Sequence, residues 1–128
     1  MTTIQQKRLQ NGINVFIHPT KKFKTILMQL IFHRPLQENG VTESALLPSV
    51  LQRGSINYPT RQKLALRLEE LYGTELMAEV VKKGERQLVA FTVDLVHDQY
   101  LPGENQLLRK SLEILNDMLT NPIVEADA

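Results

Sequence analysis

The chain contains no cysteine. That excludes a disulfide framework and any zinc site built on thiolates. It also has almost no net charge: 15 basic residues stand against 14 acidic ones, a formal balance of +1. Such a surface makes no field to gather nucleic acid or anionic lipid, so neither is expected as a partner. No apolar run is long enough to span a bilayer, and no membrane association is expected. The opening residues, Met1-Thr2-Thr3-Ile4-Gln5-Gln6-Lys7, lack the apolar core of a signal peptide. A cytoplasmic location is the expectation. Glycines are punctuation: Gly40, Gly54, Gly73 and Gly84 are each isolated, so no phosphate-binding loop can form. What remains is an ordinary globular balance, 42% hydrophobic and 23% charged over 128 residues, enough to enclose a core.

The hydrophobic pattern divides the chain into strands, helices, strands and a final helix. Asn11-Gly12 predicts a two-residue hairpin turn joining residues 5–10 to 13–18, where Ile13, Val15 and Ile17 alternate with Asn14, Phe16 and His18. Lys21, Lys22 and Lys24 mark a solvated turn or a guarded edge. Residues 25–33 are apolar at both parities, with Ile26, Met28, Leu30 and Phe32 opposed by Leu27 and Ile31; this predicts a central strand covered on both faces. After a polar connector, Thr42 can cap a helix reaching Arg53, with Gly54 just beyond it. Pro48 lies inside that stretch and should bend or shorten the helix, because it cannot donate to the Ser44 carbonyl. Pro59-Thr60 opens a second helix over 61–72, with Leu64, Ala65, Leu68, Leu71 and Tyr72 as its apolar stripe and Gly73 closing it.

Strand periodicity returns over 74–82 and 85–96 around a turn at Lys83-Gly84. A last amphipathic helix over 104–120 offers Leu107, Leu108, Leu112, Leu115, Met118 and Leu119 to a core, and Asn121-Pro122 ends it. There is no regular βαβ rhythm. The predicted class is therefore α+β, an antiparallel-rich sheet with helices packed on one face.

These pieces, in this order, resemble the N-terminal domain of the insulinase and mitochondrial-processing-peptidase family of zinc metallopeptidases. Asn11-Gly12-Ile13 with Val15 is similar to the family's opening hairpin, and His18-Pro19 and the 25–32 strand match the family's next segments. Leu51-Gln52-Arg53-Gly54-Ser55 with Tyr58-Pro59 resembles the segment after the metal helix. Leu68-Glu69-Glu70-Leu71-Tyr72-Gly73-Thr74-Glu75-Leu76 resembles the exit of the next helix, with a Tyr where the family carries a Gly, and Asn121-Pro122 recurs after the long helix.

The catalytic motif is where the resemblance fails. The family holds zinc with His-x-x-Glu-His, in which both imidazoles bind the metal and the Glu is the general base. Aligned on Leu51 and Gly54, this chain has Ala45 and Ser49 at the His positions and Pro48 at the Glu position. Ala has no donor atom, Ser is a poor zinc ligand and Pro cannot act as a base. The three histidines, His18, His33 and His97, have no such spacing. No catalytic, cofactor-binding or metal-binding residue is expected in this chain. The family's third ligand, a downstream Glu, would fall at or past Ala128, so Glu125 is not promoted to that role.

Other constellations favour ordinary structural roles. His18 and His33 on neighbouring strands could form a surface metal pair, but two unsupported histidines are most simply strand residues. Glu69-Glu70 are adjacent on a helix and point apart. Ser44, Ser49 and Ser55 lack a nucleophile-elbow setting. The resemblance implies residues 1–128 as the N-terminal part of a larger peptidase-like subunit. That subunit would be catalytically inactive, shaping a chamber and binding peptide beside a homologous sister that carries the zinc. The alternatives are a non-proteolytic interaction module on the same fold and an active peptidase with a rearranged site, against which the ligand loss argues.

Overall fold

The computed structural model of the chain describes residues 4–35, 53–103 and 106–121. Two antiparallel sheets and two helices organise them. Strands β1 (Gln5–Arg8) and β2 (Asn14–Ile17) form a hairpin in register Gln5 to Ile17 and Arg8 to Asn14. The turn has three residues rather than two. Leu9 N donates to Ile13 O at 2.8 Å and Gly12 N to Leu9 O at 2.9 Å, leaving Gln10, Asn11 and Gly12 as the loop. Gly12 takes φ +90 and Asn11 Oδ1 accepts from Ile13 N at 3.1 Å. One left-handed glycine after a turn suits a bulged three-residue hairpin, whereas a type I′ turn needs two successive positive φ values.

The main sheet holds β3 (Thr25–Pro35), β4 (Glu75–Lys83) and β5 (Arg86–Val96) in the order β3-β5-β4, all antiparallel. The β4–β5 turn closes from Lys83 to Arg86, with Gly84 at φ +61 supplying the Gly-first geometry of a tight hairpin. The central strand is β5. Its side chains are buried from Val89 to Val93. Among the described residues β3 is an edge strand, contrary to the expectation from its composition, and Leu27 and Ile31 are exposed.

The register shows why. Ile26, Met28 and Leu30 of β3 lie opposite Leu95, Val93 and Phe91, and Val93 and Phe91 in turn face Leu76 and Ala78 of β4. This parity forms the core with Leu64, Leu71, Leu107, Ile114, Leu115 and Met118. The other parity carries Leu27, Gln29 and Ile31, then Ala90 and Thr92, then Met77, Glu79 and Val81. The sheet is thus covered by helices on one face, the α+β arrangement expected from the pattern.

Helix α1 (Arg61–Glu70) starts where Thr60 accepts from Lys63 N at 3.1 Å through its side chain. Its buried contribution is narrower than the predicted stripe. Leu64 and, just past the end, Leu71 are buried, Leu68 is half-buried, and Ala65 is exposed. Tyr72 leaves the stripe because it takes φ +58, next to Gly73 at +73, and the reversed backbone turns its ring to solvent. Helix α2 (Leu107–Thr120) buries Leu107, Ser111, Ile114, Leu115, Asp117 and Met118. A 100° step per residue centres this face near Leu107 and Met118, which puts the predicted Leu108 and Leu112 on its flank, where both are exposed. A 3₁₀ turn at Asp98–Tyr100 joins the sheet to α2, and Asp98 Oδ1 accepts from Leu107 N at 3.1 Å. Among the described residues, no helix is long and apolar enough to cross a membrane.

Candidate functional site

Ala45, Pro48 and Ser49, where the resemblance implies the two ligands and the base, lie outside the described residues, as do the bend expected at Pro48, Ser44 and Glu125. The described residues resume at Arg53. Gly54 has φ +145, and a Cβ built there would stand 2.5 Å from the Tyr58 carbonyl oxygen and 3.0 Å from Pro59 C. Only glycine fits this close backbone approach. Ser55 and Tyr58 then exchange main-chain hydrogen bonds, Ser55 N to Tyr58 O at 2.8 Å and Tyr58 N to Ser55 O at 3.1 Å, closing a tight turn.

That turn is fastened to the end of α2 through Asp117. Ser55 Oγ donates to Asp117 Oδ2, and Asn57 N donates to the same oxygen at 3.3 Å. Asp117 Oδ1 accepts from Asn57 Nδ2 at 2.9 Å and from Asn121 Nδ2 at 3.1 Å. Alongside them, Ile56 N donates to Asn121 O at 3.0 Å. Ser55 is fully buried and Asp117 is 5% exposed. Burial pushes the Asp117 carboxyl up, but hydrogen bonds from Ser55, Asn121 and Asn57 outweigh it and hold the group below the ordinary value of 3.8. Both oxygens are committed to neutral donors. This is a structural carboxylate, favoured in its ionised form.

The remaining sequence candidates are dispersed. His33 lies on β3 with Nδ1 2.9 Å from Arg86 Nη1, while His18 follows β2 in the other sheet. His97 Nδ1 accepts from Gln99 N at 3.1 Å and caps the 3₁₀ turn. Among the described residues no three His, Asp or Glu side chains cluster as a metal site. Glu70 pairs with Arg67 at 3.4 Å, and Glu69 and Glu70 are both exposed. Lys24 sits with its ammonium 5.5 Å from the centre of the Tyr100 ring, so one of the three turn lysines is anchored. Asp117 and Asn57 escaped the sequence reading. The available signal was an acidic residue set between Leu115 and Met118 on the apolar side of α2, one turn before Asn121-Pro122.

No family model matches the chain. It is 38% identical over 122 residues to the "Probable inactive metalloprotease YmfF" of Bacillus subtilis (strain 168), an alignment that takes in 95% of this chain and 29% of that protein. It is also similar in structure to a conserved protein from Enterococcus faecalis V583, with a TM-score of 0.80 and 33% identity over 87% of this chain and 26% of the other. The chain is therefore homologous to a protein described as an inactive metalloprotease. It spans under a third of the length of the relatives it matches.

Proposed function

We propose that this chain is the N-terminal part of a catalytically inactive, insulinase-like peptidase subunit that shapes a peptide chamber beside a zinc-bearing sister. The observation carrying this reading is the pairing of a homologous scaffold with Ala45, Pro48 and Ser49 where two ligands and a base are required. Zinc belongs to the sister in this reading, and the present chain needs no cofactor. Its contribution is a wall: one half can bring metal and base, but an extended peptide must also be held in line with them. The edge strands of the β3-β5-β4 sheet suit that task, since an extended peptide can add its backbone to a strand edge with little demand on its side chains. The pair would operate in the cytoplasm.

The decisive assay mixes the full-length protein with the nearest His-x-x-Glu-His-bearing homologue of the same organism. The protein alone should carry far less than one zinc per chain and cleave no peptide, yet raise turnover by the sister. Installing Ala45→His, Pro48→Glu and Ser49→His should not create activity alone, because a downstream ligand and the groups that orient the ligands are also needed. Absence of both a complex and any change in turnover would shift the reading to a non-proteolytic interaction module. The exposed apolar side chains Leu27, Ile31, Met77 and Val81 favour that second reading.

A further inference from the structure

Asp117 is a core carboxylate that the proposed function does not use. Its four donors come from two places: Ser55 and Asn57 belong to the turn after the degenerate motif, and Asn121 closes α2. The turn is closed on itself by the Ser55–Tyr58 main-chain bonds, and Tyr58 packs against the core, but its tip is exposed. Ile56 projects into solvent at 67% exposure, and Asn57 and Pro59 are exposed, so the ties to Asp117 and Asn121 do most to fasten residues 55–57.

The ionisable groups that flank the network on neighbouring elements are exposed or paired with one another. Arg53 on the turn is exposed, and Arg67 on α1 is directed at Tyr58 and Glu70. Glu113, one turn back along α2, faces Arg109 at 3.6 Å. Among the described residues, no cation forms an ion pair with Asp117.

We propose that Asp117 is a proton-sensitive latch: ionised, it clamps the turn at residues 54–58 onto the end of α2, and protonated, it releases that turn while the sheet stays folded. Ionised, the carboxylate is acceptor-only and matches four converging donors. A single added proton removes the charge that strengthens all four bonds and takes up one acceptor site; the Ser55 hydroxyl can reverse to accept it, but the three N–H donors cannot reverse, so the clamp weakens. Because all four partners are neutral, none can compensate by giving up a charge. The core cluster of β5 with Leu64, Ile114 and Met118 contains no ionisable side chain, so it does not respond to the same proton.

Amide hydrogen exchange on the full chain, with intrinsic rates corrected for pH, tests the latch residue by residue. Protection of the Ile56 and Asn57 amides should fall at least tenfold as pH drops through the Asp117 titration, while Phe91 and Val93 keep theirs. The Asp117 carboxyl carbon resonance should titrate below the ordinary 3.8. Asp117→Asn should leave Ile56 and Asn57 at least tenfold less protected at neutral pH and indifferent to acid. If that variant does not fold, Ser55→Ala and Asn57→Ala retain the carboxylate and should each raise its titration point. Loss of protection at Ile56 only together with Phe91 would overturn the proposal, as would protection that acid leaves unchanged.

Discussion

The rings of Phe32 and Phe91 meet edge to face, their centres 6.2 Å apart and their planes at 86°. Phe91 has no solvent exposure and Phe32 is half exposed, so one contact joins the centre of the core to its rim. Phe91 lies between Leu30 on β3 and Ala78 on β4 in the sheet register.

Phe91→Ala should therefore cost about 3–5 kcal/mol, the range for emptying a buried aromatic site. Phe32→Ala, at the half-covered end of the same face, should cost about 1–2 kcal/mol because only part of its area leaves water. Urea denaturation of the two variants measures the contrast. Equal losses would mean that Phe32 is as deeply packed as its partner.

Acid stability should carry the mark of Asp117. Its folded carboxyl sits below the ordinary 3.8, so the ionised form is favoured by folding. The stabilisation is fully present above the unfolded value and is lost as pH falls through the folded one. A plot of unfolding free energy against pH should slope downward toward acid in that window, and Asp117→Asn should flatten the slope. Ser55→Ala removes one donor and should cost about 1–3 kcal/mol at neutral pH. A Ser55→Ala variant as stable as the parent would count against the network.

Gly54 should tolerate no side chain. Gly54→Ala places a Cβ 2.5 Å from the Tyr58 carbonyl oxygen at φ +145, and both strain and clash act together. A loss of at least ~2 kcal/mol is expected. Gly103 has φ +77 but nothing within 4 Å of a built Cβ. Gly103→Ala should lose only about 1 kcal/mol, the conformational part alone. Thermal melts of both would separate sterics from backbone preference.

The exposed positions Leu27 and Ile31 should be energetically quiet. Leu27→Gln and Ile31→Gln should change stability by about 0.5 kcal/mol or less, as for other exposed positions. Ile26→Gln and Leu30→Gln, one residue away on the core parity, should each cost about 2 kcal/mol or more for polar atoms left without partners. Losses at Leu27 as large as those at Ile26 would show that something covers this face.

The sequence made the local elements legible and hid the long-range ones. Thr60 marked the start of α1, and Lys83-Gly84 marked the β4–β5 hairpin, because caps and turns are written in adjacent residues. Among the described residues the central strand is β5 rather than the expected β3, because exposed and covered apolar side chains look alike in a list of letters; only the register with β5 distinguishes Leu27 from Met28. The phase of α2 slipped for a similar reason. Leu108 and Leu112 are apolar, yet the helix turns Ser111 and Asp117 inward instead. The Asp117 network was invisible since Ser55 and Asn57 are about 60 residues away from it in the chain. The expectation at Ala45, Pro48 and Ser49, by contrast, rests on the letters alone, since none of the three side chains can serve as a strong zinc ligand or a base.

The strand order also sets a timetable for folding. β4 and β5 are joined by a two-residue turn and can zip within a hairpin's own time, on the order of microseconds. β3 pairs with β5 over separations of roughly 50–70 residues, and closing so large a loop has to precede any reward from the pairing. The β4–β5 ribbon should thus exist as an early nucleus with its β5 rim still open, and the capture of β3 should be the slow event. Until that capture, Val89, Phe91 and Val93 have a bare neighbour along the rim, and the half-built sheet is the species most prone to pair with another molecule of itself.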